Sequence, residues 1–188
     1  MSFDAFFAPT LPNAAGWVAL GLLGLSFQMR RREGVGLVLA GASLMFALHY
    51  AGKGAFPGTV VALTVTGTSL AGAYAGRFPV LRLAKYVALP VLWGVSALVW
   101  TGPVDVLPAL GVTLEVLGMT QRRLIVMRAG FAASQFLWVG FNLAVGSGPG
   151  LLANAIVFTS SVTGIVRHHV LPRRTRPAQG DGSGASAT

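Results

Sequence analysis

Phe46 and Tyr50 lie four residues apart, and so do Trp138 and Asn142. On a helix that spacing puts each pair on one face. Two such faces could stack on a small polar solute and hydrogen-bond it. His49, Asn154, Ser69 and Ser161 add polar groups inside otherwise apolar stretches. Polar side chains at membrane depth are functional candidates by default. The competing roles are structural: Trp and Tyr gather in interfacial belts, and His or Asn can bond a neighbouring helix. Glu115 is the one acidic residue deep inside an apolar run, where an ionised carboxylate needs a partner. It precedes Arg122 by seven residues and Arg128 follows by six, so a hairpin turning near Arg122-Arg123 predicts a Glu115–Arg128 ion pair, as clasp or gate.

Other chemistry finds no support. The chain has no cysteine, which excludes disulfides, thiolate metal sites and cysteine nucleophiles. His49 stands alone, and His168 and His169 are neighbours that a helix would turn to different faces. There is no pair of intramembrane aspartates and no glycine-rich phosphate loop. The sequence therefore predicts no catalytic set, no metal and no cofactor, and the chain is not expected to be an enzyme.

The elements that must position these residues are long and apolar. Of 188 residues, 54% are hydrophobic and 10% charged, far below the roughly 25% charged of a soluble domain. The formal charge is +9, but the basic residues sit in short clusters between apolar runs and form no nucleic-acid-binding face. A helix crosses the ~30 Å hydrocarbon core with about 20 residues. Seven runs qualify: Pro12–Met29, Gly34–Gly52, Ala55–Gly76, Tyr86–Thr101, Pro103–Gln121, Leu124–Val145 and Leu151–His168. They are too long and too uniformly apolar for barrel strands.

With seven spans, 13 of the 14 basic residues fall on one side and only Lys53 on the other. Cytoplasmic loops collect positive charge, so the N-terminus is expected outside and the C-terminus in the cytoplasm. The first ten residues carry no Lys or Arg, so no signal-peptide n-region is expected and the first span should remain as an anchor. Residues 171–188 read as a disordered basic tail.

A shift of 92 residues lays the first three spans on the last three. Arg30-Arg31 meet Arg122-Arg123; Gly54, Pro57 and Gly58 meet Gly146, Pro149 and Gly150; Ser69 and Gly72 meet Ser161 and Gly164. Three spans invert the chain, and a fourth restores its direction, giving parallel repeats. The expected organisation is a short outside segment at 1–11, a three-helix repeat at 12–76, a linker with the fourth helix at 77–102, a second repeat at 103–170, and the tail. The fold class is all-α: a polytopic membrane protein of seven transmembrane helices. Small residues spaced by four (Thr68, Gly72, Gly76; Ser160, Gly164) mark packed faces.

The 3+1+3 order resembles SWEET-type carriers in architecture only; the Pro-Gln dipeptide of the PQ-loop group and a matching set of prolines are absent. Local motifs resemble the YgjV family of bacterial inner-membrane proteins: Phe46-Ala-Leu-His49-Tyr50 ahead of Gly54-Ala-Phe-Pro57, Pro103-Val-Asp-Val-Leu-Pro108-Ala-Leu-Gly111, Met127-Arg128, and Trp138-Val-Gly-Phe-Asn142 before Gly146-Ser147. This resemblance spans roughly residues 12–170 and implies an inner-membrane location. The sequence thus predicts a carrier of a small polar solute working by alternating access at the repeat interface. The alternative is a non-transporting scaffold or assembly factor with the same fold. The expected partners are the lipid bilayer and the solute, not nucleic acid; a homo-oligomer is allowed and not specified.

Overall fold

The computed structural model describes residues 4–26, 28–121 and 123–167. The tail, His168, His169 and Arg122 lie outside the described residues. All regular structure among the described residues is helical, as expected. After a single turn at Asp4–Phe7 come seven longer helices: α1 (Leu11–Ser26), α2 (Arg32–Gly52), α3 (Phe56–Tyr74), α4 (Ala84–Leu98), α5 (Val106–Thr120), α6 (Leu124–Ala144) and α7 (Gly148–Ile165). Three stretches are long and apolar enough to cross a membrane by length and composition: Glu33–Gly52, Phe56–Tyr74 and Gly148–Ile165.

Local chemistry explains where the boundaries depart from expectation. The fourth helix starts at Ala84 after a 3-10 segment, Pro79–Leu83, and ends at Leu98 rather than Thr101. The chain there is diverted by Gly102-Pro103, since a residue before proline is pushed out of helical geometry. The Asp105 carboxylate then gathers the freed donors, accepting from the Thr101 N–H (2.6 Å), the Thr101 hydroxyl (2.7 Å) and the Gly102 N–H (3.0 Å). The Gly146-to-Gly150 stretch, expected as a five-residue break, is mostly helix. Ser147 caps α7 by accepting the Gly150 N–H at 3.0 Å, and Pro149 occupies the first turn, where its missing N–H costs nothing.

The α2 and α6 boundaries differ by 92 at both ends, 32 to 124 and 52 to 144. The turns that follow share one conformation. Gly54 has φ +70° and Gly146 φ +65°, a left-handed geometry that favours glycine. Each turn is closed by the same bond: Ala55 N–H to the Tyr50 carbonyl and Ser147 N–H to the Asn142 carbonyl, both 2.9 Å.

In packing, α2 lies against α1 and α3, and α6 against α5 and α7. The two groups meet where α3 touches α5 and where α1 touches α7, with α4 lodged against α3 and α5. Two apolar clusters fill the junction: Ala47, Tyr50, Ala55, Ala62 and Phe141, and below them Val61, Leu92 and Val112, with Trp138 packed on both. Large apolar side chains also cover the outside; Leu98 is 85% and Phe136 68% exposed. Such a surface requires an apolar surrounding.

The α5–α6 contact is backbone against backbone. A Cβ on Gly118 would stand 3.2 Å from the Met127 carbonyl oxygen, and one on Gly130 3.3 Å from that of Leu114. Gly130→Leu should therefore destabilise the purified protein by about 1–3 kcal/mol. Gly67→Ala, with open space around it, should not lower the melting temperature. Equal thermal stability of the two variants would refute this packing.

Candidate functional site

The turn at the end of α2 presents His49 and Tyr50, and the matching turn of α6 presents Phe141 and Asn142. These residues converge on one polar seam between the helix groups. The Tyr50 hydroxyl donates to Asn142 Oδ1 at 2.9 Å, joining two positions that are 92 residues apart. The Asn142 and Asn154 side-chain amides lie 3.2 Å apart. His49 Nδ1 lies 2.7 Å from the Pro12 carbonyl, which can only accept, so Nδ1 carries the hydrogen. Nε2 is then left to accept from the Ser147 hydroxyl at 2.8 Å. At the edge, Lys53 Nζ donates to the Gly146 carbonyl at 2.8 Å.

His49, Asn142 and Ser147 are 0% exposed and Tyr50 is 4%. The His49–Ser147 distance is that of a base and a nucleophile. Here the serine oxygen also caps α7, and both groups are buried, so the contact ties α1, α2 and α7 together. Aromatic rings line the seam. Phe46 stacks on Tyr50 at 6.0 Å, and Phe141 meets Tyr50 at 5.5 Å and Trp138 at 6.1 Å, edge to face. Gly58 makes this possible, because a Cβ there would come within 2.7 Å of the Phe141 ring.

Below the seam, Glu115 Oε1 accepts from three α6 side chains: Ser134 Oγ at 2.9 Å, Trp138 Nε1 at 3.2 Å and Gln135 Nε2 at 3.3 Å. The expected Glu115–Arg128 ion pair is not formed. Arg128 instead donates through Nη1 to the Gly164 carbonyl on α7. The hairpin arithmetic set the depth of both residues, but not their direction around the helix axes. Neutral donors satisfy the carboxyl, and the guanidinium lies over a glycine.

Of the sequence-derived candidates, Phe46, His49, Tyr50, Trp138, Asn142 and Asn154 come together. No hydrogen bond joins Ser69 or Ser161 to them; the Ser69 backbone lies at the α2–α3 contact, 3.0 Å from where a Gly36 Cβ would stand. The reading missed Ser147, Lys53, the Pro12 carbonyl, and Ser134 with Gln135. Ser147 carried a signal, being a capping residue two positions before a proline. Ser134-Gln135 carried another, as adjacent polar residues within an apolar run.

A double-mutant cycle tests the seam. Tyr50→Phe and Asn142→Leu should each lower stability by about 1–3 kcal/mol, since each leaves a buried polar group unbonded. The double variant should lose less than the sum in thermal unfolding. Strict additivity would mean that the two side chains are not coupled.

The chain matches the family model of the bacterial inner membrane protein Imp-YgjV over residues 10–171. No curated protein and no solved structure matches it. The matched region includes all seven helices, the seam and Glu115 with its donors. The chain belongs to the YgjV family of bacterial inner membrane proteins.

Proposed function

We propose that this protein carries a small polar solute across the inner membrane by alternating access between two parallel three-helix repeats. Helices α1–α3 form one repeat and α5–α7 the other, and α4 restores the direction of the chain. The N-terminus is outside and the C-terminus cytoplasmic, in keeping with the distribution of Lys and Arg. The matched bounds of α2 and α6 and the shared turn geometry support the repeat. So does the contact pattern: the α3–α5 junction maps onto the α7–α1 junction when each repeat replaces the other.

The observation that carries the reading is the Tyr50–Asn142 hydrogen bond. Corresponding residues of two repeats touch only where the axis relating them passes. The axis therefore runs through a polar seam flanked by aromatic rings, as a shared solute site between halves requires. In this conformation the seam is bonded shut at the end where α2 and α6 finish. Opening that end requires breaking the Tyr50–Asn142, His49–Ser147 and Lys53–Gly146 contacts together. Trp138 links the seam to Glu115, whose hydrogen-bond partners are all neutral. In proton-linked transport Glu115 takes the proton, which weakens its hold on the three donors.

A scaffold or assembly factor with the same fold is the second reading. The complete burial of His49, Asn142 and Ser147 favours it, since a permanently closed seam needs only packing.

Orientation is tested by fusing a reporter that is active only in the cytoplasm. It should work at Thr188 and fail at Gly148; a periplasmic C-terminus would end the proposed topology. Transport is tested in proteoliposomes screened with sugars, nucleosides, amino acids and vitamins. Trp138→Phe, which removes the Nε1 donor and part of the ring, should slow uptake several-fold beyond what its loss of folded yield accounts for. Glu115→Gln should remove the pH dependence of uptake. Uptake of nothing in the screen, or losses that only track folded yield, would favour the scaffold.

A further inference from the structure

A groove of about 670 Å³ runs along α7 and is separate from the seam. One end is walled by Leu152, Ala155 and Ile156, the middle by Ser160 and Thr163, and the other end by Arg128 and Arg167. From Leu152 to Arg167 the lining spans fifteen residues, roughly 20 Å at 1.5 Å per residue. That length is comparable with the ~15 Å of hydrocarbon in one leaflet. The lining contains no acidic side chain.

Arg128 is built into this groove. Its Nη1 is bound to the Gly164 carbonyl, and a Cβ at Gly164 would fall 2.7 Å from the guanidinium carbon, so the glycine makes the seat. A guanidinium has five N–H donors, and this bond uses one. The other four are left for an acceptor in the groove, next to a second arginine and the hydroxyls of Thr159, Ser160 and Thr163. A fork of N–H groups suits phosphate oxygens.

We infer that the groove binds an anionic glycerophospholipid, its phosphodiester held between Arg128 and Arg167 and one acyl chain laid along Leu152, Ala155 and Ile156. The order of the lining, apolar, then hydroxyl, then cationic, is the order of groups along such a lipid. Basic pockets between transmembrane helices are suited to these headgroups. The inference requires only membrane residence and is independent of transport.

The full chain, purified in a neutral detergent, is titrated with phosphatidylglycerol, phosphatidylcholine or glycerol 3-phosphate. Melting temperature and lipid adducts in native mass spectrometry are the readouts. Phosphatidylglycerol should bind at least several-fold more tightly than phosphatidylcholine, and glycerol 3-phosphate should neither bind nor compete at similar concentration. Arg128→Gln and Arg167→Gln should each remove most of that preference, whereas Arg30→Gln, outside the groove, should keep it. Ala155→Phe, which fills the chain end without changing charge, should weaken both lipids; with Arg167→Gln it carries the test if Arg128→Gln fails to fold. Equal binding of the two lipids would overturn the inference, as would retention of the preference in the arginine variants. Binding of glycerol 3-phosphate as tight as that of the lipid would also overturn it, and would make the groove a site for a soluble organophosphate.

Discussion

Hydrocarbon offers no hydrogen bonds, so every polar group placed at membrane depth must find its partner inside the protein. The structure is organised around that constraint. His49, Tyr50, Asn142, Asn154 and Ser147 are each too polar to face lipid, and each finds a partner across a helix boundary. Because the partners lie on α1, α2, α6 and α7, satisfying them fixes how the two helix groups meet. Apolar contact alone would not do this, since lipid tails are as apolar as leucine.

Close backbone approach is the second requirement, and glycine supplies it at the points of contact. Gly54 and Gly146 allow tight turns that aim Tyr50 and Asn142 at one another. Gly58 admits the Phe141 ring, and Gly118 with Gly130 brings α5 against α6 so that Ser134 and Trp138 reach Glu115. The polar network thus depends on positions that carry no polar side chain.

Charge is handled differently on α5 and on α6. Glu115 is surrounded by neutral donors, while Arg128 is turned away from it toward α7 and an open groove. Pairing them would have neutralised both. Their separation leaves a carboxyl beside the seam and a cation at the groove, two features with separate chemistry.

Sequence alone determined whatever depends on composition and local geometry. Apolar runs bounded by Arg clusters and Gly-Pro turns specified helices, and the 92-residue shift paired the turns. Spacing by four put Phe46 with Tyr50 and Trp138 with Asn142. Boundaries slipped where side chains act over a few residues, as when Asp105 gathers the Thr101 and Gly102 donors and Ser147 starts α7 early. The partners themselves were decided by tertiary structure. Spacing fixes the depth of a residue and its helical face, but the face a helix turns to its neighbour depends on how the whole bundle packs. For that reason the sequence brought Glu115 and Arg128 to one level and paired them. The fold gave Glu115 to Ser134, Gln135 and Trp138, and Arg128 to Gly164, because α6 presents those residues to different neighbours.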